Sequence, residues 1–474
     1  MGGAAVTGSD GTVEVDDVQG LVAAGYGHLR AACFVLLRIE AASDGGAAPR
    51  AWLGRLGDDV TAANGRPDGQ AVNVAFTHHG LLGLGLAPEV AGMFSNEFVG
   101  GMTVPHSSRI LGDSGESAPE RWTWGGSATP QVDLLLMLYA SDQAALEVLY
   151  RSYEPGLAAS GLVELQRLDT VDLGDVEPFN FADGISQPMI EGLSPPGRPA
   201  DTIKAGEFLL GYPNEYGLYT ESPVVADDAG PARLLPGRHD GRGRDLGRNG
   251  TYLVFRQLAQ DVEGFWAFLD EATRRPDGSS DRDAAVGLAA KIVGRWPGGA
   301  PLVLSPEVDD PALAKANDFG YFHEDPDGLR CPLGAHIRRS NPRDSLAPRP
   351  GTQASIDVGK RHRIIRRGRE QAGSGDGATP GSPPPTTGLH FVCLNANIAR
   401  QFEFIQATWV SNPKFNGLYE EADPLVGTQP GRTFRIPGTP VRTRVTGLPA
   451  FVRVEAGGYF FLPGIKAIRY LAAT

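Results

Sequence analysis

Cysteine is scarce in this chain: three in 474 residues, Cys33, Cys331 and Cys393. None sits at a CxxC or CxxH spacing, so neither a disulfide framework nor a zinc site is indicated, and all three read as reduced thiols. Long hydrophobic runs are missing too. DLLLMLYA at 133–140 stops far short of the about 20 residues that a membrane-spanning helix needs. Basic charge is in deficit, with 43 Lys and Arg against 56 Asp and Glu and a formal net charge of −13, which argues against nucleic acid as a partner. The opening MGGAAVTGSDGTVEVDD has no basic flank and no apolar stretch, so no secretory or twin-arginine signal is expected and cytoplasmic residence is the default.

Several catalytic signatures are equally absent. No pair of the nine histidines has the HExxH spacing of a zinc hydrolase, and there is no GxSxG, GxxxxGK[ST] or strand-linked GxGxxG. Zinc hydrolase, serine hydrolase, P-loop and dinucleotide chemistry all lose support.

What the chain has in excess is glycine and proline, 63 and 37 residues, well above the usual shares of about 7% and 5%. They punctuate it into short elements. A first unit reads as a strand at 33–40, a helix near 48–62, a strand at 70–79 with His78 and His79 on opposite faces, a strand at 133–140, a helix at 141–153 capped by Ser141 or Asp142, and a strand at 161–171. A second unit repeats this grammar with a strand at 251–259, a helix at 261–275, a strand at 388–395, a helix at 398–409 and a late strand at 457–463. Two loops are expected at 230–245 and 369–387, the second too rich in Gly, Ser and Pro to bury apolar area.

Three stretches carry candidate chemistry. GAHIRRSNPR at 334–343 sets His336 beside Arg338, Arg339 and Arg343, which suits an iron ligand near anionic carboxylates, although a lone histidine among arginines also fits a surface or core position. EPFNFADGISQP at 177–188 places Asp183 in a turn between apolar residues, either as a partly desolvated acid or as an Asx-turn. RHRIIRRGRE at 361–370 reads as a strand end delivering one arginine inward, or as a solvated basic strand.

At these residues the sequence resembles the dye-decolorizing peroxidases, a heme family with a GxxDG motif, a proximal histidine in a GAHIRxxNPR stretch and a distal arginine downstream. The resemblance extends through DVQGLV at 17, GEFLLGYPNEYG at 206, RNGTYLVFRQLAQDV at 248, AKIVGRWPGGAPL at 290 and LNANIARQFEFIQATWVSNPKF at 394, so it spans nearly the whole chain. It points to the larger bacterial and fungal branch. One departure is Asn180, which stands where the first motif glycine belongs; asparagine tolerates positive φ better than most residues, so the turn is expected to survive.

The resemblance implies an α+β fold of two ferredoxin-like units with facing antiparallel sheets, of the dimeric α+β barrel type. The units are expected at 12–195 and 196–474, the second holding the heme and a mobile insertion at 369–387. It implies one heme b per chain, bound through His336 as axial iron ligand, with Asn397 or Glu403 as acceptor for its other ring nitrogen. Gly184, Ile185 and Ser186 would line the heme edge, and Asn341, Pro342 and Arg343 the proximal side near a propionate. Asp183 would shuttle the proton in O–O heterolysis beside Arg366, chosen over Arg363 and Arg367, which also contributes to heme binding. Hydrogen peroxide and small organic reductants such as dyes and phenolics are the implied substrates, and Trp122, Trp124, Trp266, Trp296 and Trp409 are compositional candidates for electron relays. A heme carrier or sensor with weak peroxidase activity is the alternative. No membrane partner is expected, homo-oligomerisation is left open, and encapsulation as shell cargo is not expected, since the chain runs IKAIRYLAAT straight after its last strand.

Overall fold

The computed structural model describes residues 12–40, 46–227, 230–371, 387–427 and 431–474. Nine strands build one sheet: β1 (Ala31–Ile39), β2 (Gln70–Phe76), β3 (Leu134–Ala140), β4 (Leu162–Val171), β5 (Thr251–Gln260), β6 (Ile365–Arg366), β7 (Arg369–Gln371), β8 (Gly388–Asn395) and β9 (Val452–Leu462). The first half takes the order β4-β1-β3-β2 and the second β7-β8-β5-β9, the same ferredoxin-like order with the closing strand at one edge. All pairings in this sheet are antiparallel.

The halves join at both edges. Phe76 pairs with Phe461 between β2 and β9, and Thr170 and Val171 of β4 pair with Gln371 and Glu370 of β7. The sheet therefore closes into a barrel, which removes its exposed edges. β6 precedes β7 along the same edge of β8, and Arg367 N–H donates to the Val392 carbonyl at 2.7 Å between them.

Why β1 reads as a continuous apolar run follows from this closure: the strand is buried on both faces. Ala32, Phe34 and Leu36 point into the barrel with Tyr139, Phe255 and Phe460, while Cys33, Val35 and Leu37 point outward. The outer face is covered by α1 (Ala47–Asp59), α2 (Gln143–Leu157) and α6 (Ile465–Ala473), through Trp52, Leu53, Leu146, Ile468 and Leu471. In the second half, α3 (Val262–Ala272) and α4 (Arg282–Val293) pack over a separate cluster that includes Phe265, Leu269 and Phe451. Of the two expected caps it is Asp142 that accepts from Ala145 N–H, and Asp261 caps α3 in the same way through Gly264 N–H.

Some expectations need correction. His78 and His79 do not alternate on a strand: Thr77 caps a short helix, His78–Gly83, through Gly80 N–H, so the strand ends at Phe76. The expected insertion at 369–387 is shorter than its composition implies, because Arg369–Gln371 are the strand that seals the barrel; residues 372–386 lie outside the described residues. The stretch near 398–410 is wound as π-helix over Ala399–Glu403 and Ile405–Val410. No helix among the described residues is long and apolar enough to cross a membrane.

Candidate active site

The Asp183 turn is built from beneath. Phe179 and Phe181 are buried against Phe265, and Glu177 receives Phe181 N–H on its carboxylate at 3.1 Å while its carbonyl receives Asn180 N–H at 2.7 Å. Between the two phenylalanines the backbone must turn left-handed, and Asn180 does so with φ 72°. The expected survival of the turn is what is found. Gly184 follows Asp183 with φ 76°, and a side chain there would meet nothing within 4 Å.

Opposite this turn, β6 delivers Arg366, whose Nη1 donates to Asp183 Oδ1 at 2.9 Å. The neighbouring arginines are committed elsewhere. Arg367 donates to the carbonyls of Leu21 and Val22, and Arg363 is half-buried with its guanidinium 3.9 Å from Asp201. The competing pulls on Asp183 resolve in favour of the anion: the Arg366 guanidinium holds its carboxyl below the usual carboxylate range, against the effect of burial and with help from Gly184 N–H.

His336 opens α5 (His336–Ser340), a single turn that Pro342 follows. Its Nδ1 lies 3.0 Å from Asp423 Oδ2, across 87 residues of sequence. Neither Asn397 nor Glu403 takes that role: the Asn397 side chain accepts from Arg400 N–H, and Glu403 accepts from Tyr459 Oη–H at 2.8 Å. Burial opposes a charge on His336, but the Asp423 carboxylate outweighs it and raises the imidazole pKa, while Asp423, despite its own burial, is held low by His336 and Arg339. With Nδ1 as donor to Asp423, the Nε2 lone pair is left to bind a metal.

The arginines beside His336 are not waiting for propionates. Arg338 is 1% exposed, paired with Asp325 at 3.0 Å and donating to the Cys331 carbonyl. Arg339 donates to the carbonyls of Trp409, Glu421 and Asn412. Both brace the loop that carries His336. Arg343, with φ 53°, donates to the carbonyls of Asn317 and Phe319 and stacks 3.8 Å over the Phe319 ring. With Asn341, Arg198, Lys360 and Arg363 it lines a cavity of about 250 Å³. Asn341 Nδ2 reaches Ser186 Oγ at 3.4 Å, linking the two sides of the site, Pro342 closes a turn by accepting from Ser345, and Ile185 is half-buried beside them.

Trp122, Trp124, Trp296 and Trp409 are buried, and the first three donate their indole N–H to Ser117, Gln257 and Ser305. Trp266 is half-buried. The residues that the sequence did not reveal are Asp423, Glu177 and Gln187. Each acts through a contact that no local pattern announces.

A scan against models of known protein families returned no match. Among curated proteins, the chain is 31% identical over 436 residues to dye-decolorizing peroxidase msp1 of Mycetinis scorodonius, covering 84% of this chain and 76% of the relative. The chain belongs to the dye-decolorizing peroxidases. A bacterial member, multifunctional dye peroxidase DyP2 of Amycolatopsis, is 29% identical over 372 residues and 73% of each chain. Among solved structures, AauDyP complexed with imidazole superposes with a TM-score of 0.79 at 26% identity, covering 98% of this chain and all of the other. An ancestral D-type dye-decolorizing peroxidase gives 0.76 at 26% identity, with the same coverage.

Membership makes the chain an oxidoreductase of the peroxidase class, and the dye-decolorizing peroxidase family implies a heme cofactor. The residues fit one. Asp183, Arg366 and His336 keep 46%, 36% and 27% of their side-chain surface accessible, although Asp183 and His336 lie deep among protein atoms. Accessible surface at that depth is the wall of an internal cleft. The His336 imidazole lies within electrostatic range of the Asp183 carboxylate and the Arg366 guanidinium, and the space above Gly184 is open. That is the donor set and shape for a flat iron-bearing ring.

Proposed function

We propose that this peroxidase binds heme b through His336 Nε2 and uses Asp183 and Arg366 to drive O–O heterolysis of hydrogen peroxide, with dyes and phenolics as electron donors. The observation that carries the reading is the 2.9 Å contact between Asp183 and Arg366, within electrostatic range of an imidazole whose Nδ1 is tied to Asp423.

Bound heme would supply the iron that accepts the oxidising equivalents of peroxide and passes them to organic donors. The chain supplies the proton chemistry. Asp183, kept ionised by Arg366, would take a proton from one peroxide oxygen and return it to the other, departing oxygen. Arg366 presents a fixed cation to the negative charge that develops on that oxygen. Asp423 keeps the His336 proton on Nδ1, so Nε2 stays a ligand and gains basicity. Gly184, Ile185 and Ser186 form the edge on the Asp183 side. Asn341 and Arg343, with Arg363 and Lys360 in the adjoining cavity, would offer donors to the ring carboxylates, and Pro342 would shape the same side.

The carrier reading rested on the Asn180 departure, and a turn that still presents Asp183 to Arg366 supports the enzyme instead. The test is the absorption spectrum of heme-reconstituted protein before and after one equivalent of peroxide, with His336→Ala as control. The reading predicts a Soret band that the substitution alters or abolishes and a rapid peroxide-dependent change in wild type. Heme binding unaffected by His336→Ala would overturn the ligand assignment.

A further inference from the structure

Arg366 sits on a strand of two residues, and its ladder is short: Ile365 faces Leu394 and Arg366 faces Cys393, both on β8. Among the described residues no strand pairs with the other edge of β6. Two rungs are a weak hold for a side chain whose head must stay within about 0.5 Å of its working position.

The side chain of Gln187 takes the vacant edge. Arg366 N–H donates to Gln187 Oε1 at 3.1 Å, and Gln187 Nε2 donates to the Arg366 carbonyl at 3.3 Å. A primary amide facing a peptide group in this way makes the two bonds that a paired strand residue would make. Gln187 follows Asp183 by one helical turn's worth of sequence, on the same segment. That segment therefore holds Arg366 at both ends, the guanidinium through Asp183 and the backbone through Gln187.

We propose that Gln187 is a positioning residue for peroxide activation, fixing where Arg366 stands relative to Asp183. The inference rests on the roles given to Asp183 and Arg366 above. Without the amide, the outer edge of β6 keeps only the Arg367 guanidinium, which donates to the Arg366 carbonyl at 3.1 Å, the Arg366 N–H loses its partner, and the Arg366 guanidinium can move while still touching the carboxylate. A misplacement of about 1 Å costs on the order of a hundredfold in rate, so a smaller shift costs about tenfold.

The test compares heme-loaded wild type with Gln187→Met, which keeps bulk and loses both bonds, Gln187→Glu, which keeps the acceptor for Arg366 N–H and loses the donor, and Asp183→Asn. The expected result is a fall of about ten- to a hundredfold in kcat/KM for peroxide in Gln187→Met, a smaller fall in Gln187→Glu, and unchanged kcat/KM for a phenolic donor. A second readout, cyanide affinity from the Soret shift, needs no turnover and should weaken in the same order, because HCN must leave its proton on the same wall of the cleft.

If Asp183→Asn collapses the peroxide step while both Gln187 variants match wild type, the inference is wrong and the Asp183 reading stands. If Asp183→Asn itself reacts at the wild-type rate, the underlying reading fails first. Equal losses toward peroxide and donor, tracking a fall in thermal midpoint, would assign Gln187 to general stability and overturn the proposal. Should Gln187→Met not fold, Gln187→Glu decides by the same ratio of peroxide to donor efficiency.

Discussion

Replacing Asp183 by Asn isolates the proton transfer from everything else in the cleft. Asparagine has the same shape, and its Oδ1 can still accept from Arg366 Nη1, 2.9 Å from the present carboxylate oxygen. What it loses is the ability to take a proton. Asp183 stands ready to do so at neutral pH because the Arg366 guanidinium depresses its pKa against the effect of burial. General acid–base catalysis by a positioned group contributes about 10² to 10⁴ in rate. Arg366 survives the change, so the middle of that range applies: a loss of about 10³, or roughly 4 kcal/mol in the barrier at 1.36 kcal/mol per tenfold. The assay is stopped-flow absorption in the Soret region under excess peroxide, from neutral pH downward. In wild type the rate should persist below the usual carboxylate range and then fall as pH drops through the lowered Asp183 pKa, where the acid form can no longer accept a proton. In Asp183→Asn that acid limb should vanish along with most of the rate. A variant within tenfold of wild type, or one that keeps the same acid limb, would refute the reasoning.

Other substitutions probe the supports of the site. Asn180→Gly should leave unfolding and peroxide reactivity unchanged, whereas Asn180→Ala should cost about 1 kcal/mol, because only the latter strains at φ 72°; thermal unfolding of the holoenzyme separates them. Asp325→Ala should destabilise by about 3–5 kcal/mol in denaturant unfolding, since it strands the Arg338 guanidinium, 1% exposed, without its counter-ion. Asp423→Asn should weaken heme binding by about 10- to 100-fold in a Soret titration of the apoprotein. If the new amide N–H faces Nδ1, the imidazole must carry its proton on Nε2, the tautomer that cannot bind iron.

The sequence made the barrel strands legible because they are short apolar runs bounded by glycine, proline and capping residues, and because Asp142 and Asp261 mark helix starts. His78 and His79 misled because the apolar pattern of β2 ends at Phe76, within AFTHH; one hydroxyl, Thr77, decides for helix by accepting from Gly80 N–H. Residues 369–371 were hidden inside a polar, glycine-rich stretch, yet barrel closure needs backbone there and not apolar side chains. At the site, Asp183, His336 and Arg366 came from a family resemblance that composition alone could not have supplied. Asp423 escaped because it lies 87 residues from its partner, in a loop with no pattern of its own. Arg338 and Arg339 looked like an anion site because sequence shows charge and not direction; their donors turn into the protein, onto carbonyls and Asp325.

Closure of the barrel and assembly of the site are coupled by the same few residues. Asp183 belongs to the segment that follows β4, the last strand of the first half, but Phe179 and Phe181 anchor it among Phe265 and Phe451 of the second. Arg366 lies three residues before β7, the strand that seals β4 to β8. Between Arg366 and that seam, Arg367 reaches back to the carbonyls of Leu21 and Val22, and Arg369 to those of Gly25 and Tyr26. A chain with the halves folded but apart would keep His336 and Asp423 together, since both lie in the second half, and would leave Arg366 without the contacts that hold its strand. The His336–Asp423 pair is thus local to one half, while the Asp183–Arg366 pair forms only when the ring of strands is complete.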